Sequence, residues 1–95
     1  MTFDYHSRRW SRLRAQALRR DHGLCRECSR YGKVVDASTA HHAWPAEDYP
    51  EYAWCLWNLV SLCGRCHDAM HDRVTRVLTA QGERWRRRTP PPPGA

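Results

Sequence analysis

Two Cys-x-x-Cys pairs, Cys25/Cys28 and Cys63/Cys66, constrain this chain more than any other feature, because each sets two thiols one tight turn apart across a long insert. Four soft thiolates suit a tetrahedral zinc ion, and a closed site of that kind adds its binding free energy to folding. The rival reading is a pair of disulfides or a redox role. Zinc is preferred because Met1 to Ser7 has neither a basic start followed by an apolar run nor a small-residue cleavage site, so a reducing, cytoplasmic setting is expected. A chain of 95 residues has room for one domain with a modest apolar core, and a structural metal compensates for that. Cys55 is left over and is expected to be a buried thiol between Trp54 and Leu56.

Around this clamp the pattern predicts a small α+β domain over residues 1–82. A basic helix is expected over 7–21, with Trp10, Leu13, Ala17 and Leu18 at helical spacing, Ser7 as its cap and Gly23 at its end. The first knuckle, 25–28, leads through a turn near Tyr31 and Gly32 to a β-prone run at Lys33 to Val35. A strand is expected over Thr39 to Trp44. Pro45 and Pro50 then frame an acidic, aromatic loop, and Trp57 to Leu62 forms a further strand entering the second knuckle, 63–66. Met70, Val74, Val77 and Leu78 share a helical face, which predicts a helix from about Arg65 to Ala80 stopped by Gly82. Residues 83–95, with an arginine cluster and four consecutive prolines, read as a disordered Arg/Pro-rich tail.

The formal net charge of +6 is carried by arginines and a single lysine, Lys33. Arginine's planar fork suits bidentate phosphate contacts, so the charge favours a nucleic-acid partner over a merely soluble surface. Arg8, Arg9, Arg12, Arg19 and Arg20, on the polar face of the first helix, are the candidate phosphate contacts. The longest apolar run, Ala53 to Trp57, is far too short to cross a bilayer, and no membrane role is expected.

Four of the six histidines form a second constellation. His41 and His42 are neighbours on a predicted strand, so their side chains point to opposite sides and take different roles. His67 and His71 are four apart on a predicted helix, a spacing that chelates divalent ions. His6 and His22 read as ordinary surface residues.

The order His41-His42, Asn58 in Asn58-Leu59-Val60-Ser61-Leu62-Cys63, and Cys63-Gly64-Arg65-Cys66-His67 resembles the HNH endonuclease family. The likeness covers about residues 10 to 80, and the short, arginine-rich build is similar to small stand-alone HNH proteins of phages and prophages. It implies a ββα-metal (His-Me finger) core at about 33–80. It also implies His42 as the general base, His41, His67 and His71 as ligands of a catalytic divalent ion (Mg2+, Mn2+, Ni2+ or Zn2+), and Asn58 as the residue holding the loop and the base. The reaction implied is one-metal hydrolysis of DNA phosphodiesters. DNA is the implied partner, with phage terminase or other DNA-processing proteins as company, in the cytoplasm of a bacterial host. The alternative is a non-catalytic zinc-ribbon nucleic-acid-binding module, which explains the cysteines and the charge and leaves the histidines and Asn58 as coincidence. A third reading, a protein-interaction adaptor, rests on the proline tail alone.

Overall fold

In the computed structural model, which describes residues 3–94, the first element begins at a cap: Ser7 Oγ accepts the N–H of Trp10 at 3.1 Å, and α1 runs Arg8–Arg20. Met1, Thr2 and Ala95, which the expected domain and tail include, lie outside the described residues. α1 ends in a Schellman turn whose left-handed residue is His22, at φ +58°. Its N–H donates to the Arg19 carbonyl, and the N–H of Gly23 donates to that of Leu18. Gly23, at φ +70°, turns the chain into the first knuckle, whose single helical turn is α2, Arg26–Ser29.

Two antiparallel strands follow, β1 at Thr39–His42 and β2 at Leu59–Leu62, in the register Ala40 opposite Ser61 and His41 opposite Val60. Both are shorter than expected. β1 stops before Trp44 because the Asn58 side chain takes over Trp44's backbone groups, and Leu56–Asn58 is a 3-10 turn. The run at Lys33 to Val35 is no strand; its contribution is the Val35 carbonyl, which accepts the N–H of Cys25 at 2.8 Å, beside an isolated Leu24–Asp36 bridge.

Period-two alternation gives the two-stranded sheet two buried faces. Ala40 and Leu59 pack under α1 with Trp10 and Ala17, and Ser61 Oγ donates to the Ala17 carbonyl. Val60 and Leu62 pack on the other side with Cys25, Ala43, Met70 and Trp85. The sheet is thus sandwiched between α1 and the knuckle-bearing half of the chain.

The C-terminal third departs most from expectation. The helix after the second knuckle, α3, spans only Gly64–Asp68. Beyond it the chain forms a hairpin in which His71 bridges to Leu78, so no helix continues to Ala80. Asp72 is the physical cause: its Oδ1 accepts the N–H groups of Val74 and Thr75 at 2.8 Å each, a local bond that competes with helix propagation. Val74 and Val77, assigned to an apolar helical face, are 89% and 65% exposed.

Gly82 is also no stop signal. A new helix, α4, runs Ala80–Arg88 through it, capped by Thr79 Oγ1 accepting the Gly82 N–H. Much of the expected tail is therefore folded. Trp85 is 4% exposed and its indole N–H donates to Glu27, while the Thr89 carbonyl accepts from Trp44 Nε1 at 2.7 Å. Cys55 differs too: it is half-buried, with its thiol 3.8 Å from the Glu51 carbonyl.

Candidate active site and metal centres

The knuckles meet. Cys28 Sγ lies 4.0 Å from Cys63 Sγ and 3.7 Å from Cys66 Sγ, and the sulfurs of Cys25, Cys28, Cys63 and Cys66 all lie within 4.8 Å of one another. A disulfide needs about 2.05 Å, whereas tetrahedral zinc with bonds of about 2.3 Å separates sulfurs by about 3.8 Å. All four thiols are free. The backbone N–H of Cys66 draws the Cys63 thiol down to about 7, while burial and the neighbouring thiols push Cys66 up. Without a cation the four sulfurs resist ionising together, and with one they form the donor set of a zinc cage.

The second centre is built on β1. The pleat sends His41 and His42 to opposite faces, yet both line one cavity of about 960 Å³. His41 turns toward the second knuckle, its ring 5.4 Å from that of His67 and 5.3 Å from that of His71. His67 sits on α3, and His71 lies beyond that helix, at the start of the hairpin; their rings are 6.4 Å apart. His41 is 2% exposed and its Nε2 has no hydrogen-bond partner. Burial, and then the charges of His67 and His71, push its protonation well below the ordinary range. An orphaned, neutral imidazole nitrogen facing two further imidazoles fits a divalent-metal site. Among the described residues, the four cysteines alone bring three or more His, Cys, Asp or Glu ligand atoms within 4.8 Å of one another; the three histidines do not, and would have to draw together around an ion.

His42 lies under α1, stacked on Trp10 at 5.2 Å between ring centres. Its Nε2 is 2.9 Å from the Ala53 carbonyl. A carbonyl only accepts, so Nε2 carries the proton and Nδ1 keeps the lone pair. Nδ1 faces the Tyr5 hydroxyl at 3.4 Å. Burial lowers the His42 pKa, against the Ala53 bond, so the ring is neutral at neutral pH.

Asn58 is fully buried behind this pair. Its Oδ1 accepts the Trp44 N–H at 2.8 Å, and its Nδ2 donates to the carbonyls of Trp44 and Tyr52 at 3.0 and 3.2 Å. It ties both ends of the 44–58 loop together.

None of the predicted phosphate contacts lines the histidine cavity. Arg8, Arg9, Arg12 and Arg19 are exposed on α1, with Arg9 stacked over Trp54 at 4.0 Å. Arg20 is committed elsewhere, donating to the carbonyls of Leu56 and Leu59 and pairing with Asp21 at 2.7 Å, so its fork is not free for phosphate. The arginines that line the cavity are Arg73 and Arg76. The expected helix concealed them, and nothing in the sequence marks Tyr5 as a neighbour of His42.

The HNH endonuclease family model matches residues 25–73 of this chain. Among solved structures, the chain is similar to the HNH endonuclease of the deep-sea thermophilic bacteriophage GVE2, crystallised with manganese ion. The match has a TM-score of 0.64 and 36% identity, and covers 67% of this chain and 70% of that one. No curated protein matches it in sequence.

Proposed function

Because the chain belongs to the HNH endonuclease family, we propose that it is a metal-dependent DNA endonuclease in which His42 is the general base and His41, His67 and His71 hold the catalytic ion. The observation that carries this reading is the division of labour on β1. His41 presents an unpartnered buried nitrogen toward His67 and His71, while His42 presents an oriented, unprotonated Nδ1 to the same cavity.

In this mechanism His42 Nδ1 accepts a proton from water as that water attacks the phosphorus in line. The Ala53 carbonyl fixes the tautomer and then stabilises the imidazolium that forms. His41, His67 and His71 would hold a divalent ion, which would supply positive charge to the phosphate as negative charge develops there. Asn58 keeps the loop that carries Ala53 in place. The four-cysteine site contributes structure and not chemistry, since Cys66 directly precedes His67 and so anchors the start of the ligand-bearing segment. Family chemistry implies 3′-hydroxyl and 5′-phosphate products. The exposed arginines of α1 supply sequence-blind affinity for the DNA backbone. Manganese, present in the similar phage enzyme, is the first ion to try; magnesium, nickel and zinc follow.

The test is a supercoiled-plasmid assay with a panel of divalent ions, a chelator control and His42→Ala. Metal-dependent nicking by the wild type, abolished in His42→Ala, is the expected result. Equal binding with no cleavage by either protein under any ion would instead establish a non-catalytic binding module.

A further inference from the structure

Arg73 and Arg76 line the histidine cavity, and Arg76 is held there against its own backbone preference. Its φ is +66°, a left-handed conformation that strains a residue with a Cβ. The hairpin enforces it. The Asp72 N–H donates to the Val77 carbonyl at 2.8 Å, the Arg76 N–H donates to the Asp72 carbonyl at 3.0 Å, and Asp72 Oδ1 caps Val74 and Thr75. Glycine would satisfy the same turn with less strain.

The charge of Arg76 is also unspent. Glu47, Asp48, Asp68 and Asp72 line the same cavity, yet the ion pairs formed among the described residues are Arg20–Asp21, Arg30–Glu27 and Arg86–Glu83. Arg76 shares the cavity lining with His67 and His71, on the hairpin that His71 begins. A cation beside a cation-binding site repels the bound ion unless an anion lies between the two. A phosphodiester is that anion, and a guanidinium fork matches two of its oxygens.

We propose that Arg76 is a catalytic residue that clamps the scissile phosphodiester, set by the strained Asp72–Val77 turn on the rim of the cavity that holds His41, His42, His67 and His71. The inference rests on the nuclease reading. It assigns to one hairpin arginine a role that the arginines of α1 cannot fill, because none of Arg8, Arg9, Arg12, Arg19 and Arg20 is among the cavity-lining residues.

Arg76→Gly separates a clamp from a structural residue, because it relieves the strained φ while removing the guanidinium. The variant is expected to melt no lower than wild type, to bind Mn2+ more tightly in the absence of DNA, and to nick plasmid with kcat reduced roughly 100-fold. Arg76→Lys, which keeps the charge and loses the fork, should fall between the two. If the wild type fails to nick plasmid under every ion tested, the nuclease reading falls and this inference with it. If the wild type nicks and Arg76→Gly retains kcat within about twofold, or binds Mn2+ no more tightly, the clamp alone is overturned.

Discussion

Asn58 and His42 are joined through two consecutive peptides: Asn58 Nδ2 donates to the Tyr52 carbonyl at 3.2 Å, and the next carbonyl, that of Ala53, accepts from His42 Nε2 at 2.9 Å. The amide therefore steadies the loop that holds the His42 ring without facing the cavity, where it is not a lining residue. Its other two bonds, to the N–H and carbonyl of Trp44, pin the start of the same loop to the end of β1.

Asn58→Ala should accordingly act on stability and catalysis together. Three buried bonds are lost and their partners left unpaired, a cost of about 2–4 kcal/mol. At temperatures where the variant remains folded, kcat for nicking should fall at least about tenfold with KM little changed, because the base is displaced while the phosphate contacts remain. Asn58→Asp keeps the acceptor for Trp44 but loses both donations, so it should not rescue kcat. Thermal melts and initial rates on plasmid read the two effects, and an active, fully stable Asn58→Ala would remove Asn58 from this role.

Much of the site follows from short-range rules that the sequence displays openly. Adjacent histidines on a strand must diverge, and His41 and His42 do, one toward His67 and His71 and the other onto Trp10. Two Cys-x-x-Cys pairs must converge to be useful, and they do. What was not legible depends on contacts distant in sequence or on a local bond that outranks periodicity. The Met70, Val74, Val77 and Leu78 pattern mimics a helix, but the Asp72 carboxylate captures the backbone first. Four prolines made the segment after Gly82 read as unfolded, yet Trp85 finds Glu27 across 58 positions and draws the preceding helix into the core. Arg76 was invisible for the same reason as the hairpin that presents it.

Removal of the structural metal should abolish the fold rather than soften it. In zinc-finger peptides such a site is worth about 10–16 kcal/mol, as much as the whole stability of a domain, about 5–15 kcal/mol. Cys63→Ser, or chelation of the purified protein, should eliminate the cooperative melt and the near-ultraviolet signal of Trp10 and Trp85. His67→Ala should retain one tightly held zinc by metal analysis. An unchanged cooperative melt after complete zinc removal would sink the structural-zinc assignment.

The helix α4 should prove part of the domain. A Cβ at Gly82 would collide with the Met70 carbonyl oxygen and come within 2.8 Å of Leu78 Cδ2, so Gly82→Ala must displace backbone, although alanine is the better helix former. A loss of about 1–3 kcal/mol is expected, where an open helical site would gain about 1 kcal/mol. Trp85→Ala should cost about 3–5 kcal/mol from lost packing, with the buried Glu27 losing its indole partner as well. Urea denaturation of both variants checks this, and a stabilised Gly82→Ala would mean that α4 does not dock against Met70.

The acid limb of activity should belong to His42. With Nε2 committed to the Ala53 carbonyl, the proton acceptor is Nδ1, and only the neutral ring can serve. Burial is the largest influence on His42 and lowers its pKa from 6.5; the Ala53 bond opposes this and His67 adds to it. At fixed Mn2+, log kcat/KM should therefore break at a pH below 6.5 and decline with unit slope beneath the break. Stability follows the same sign. The unfolded chain takes up the proton from 6.5 downward while the folded chain resists, so the contribution is complete above 6.5 and is lost as the pH falls through the lower folded value. Each unit of lowering is worth about 1.4 kcal/mol. A rate profile breaking at or above 6.5 would mean that His42 is solvated in the active enzyme, which its stacking on Trp10 forbids, and another base would have to be sought.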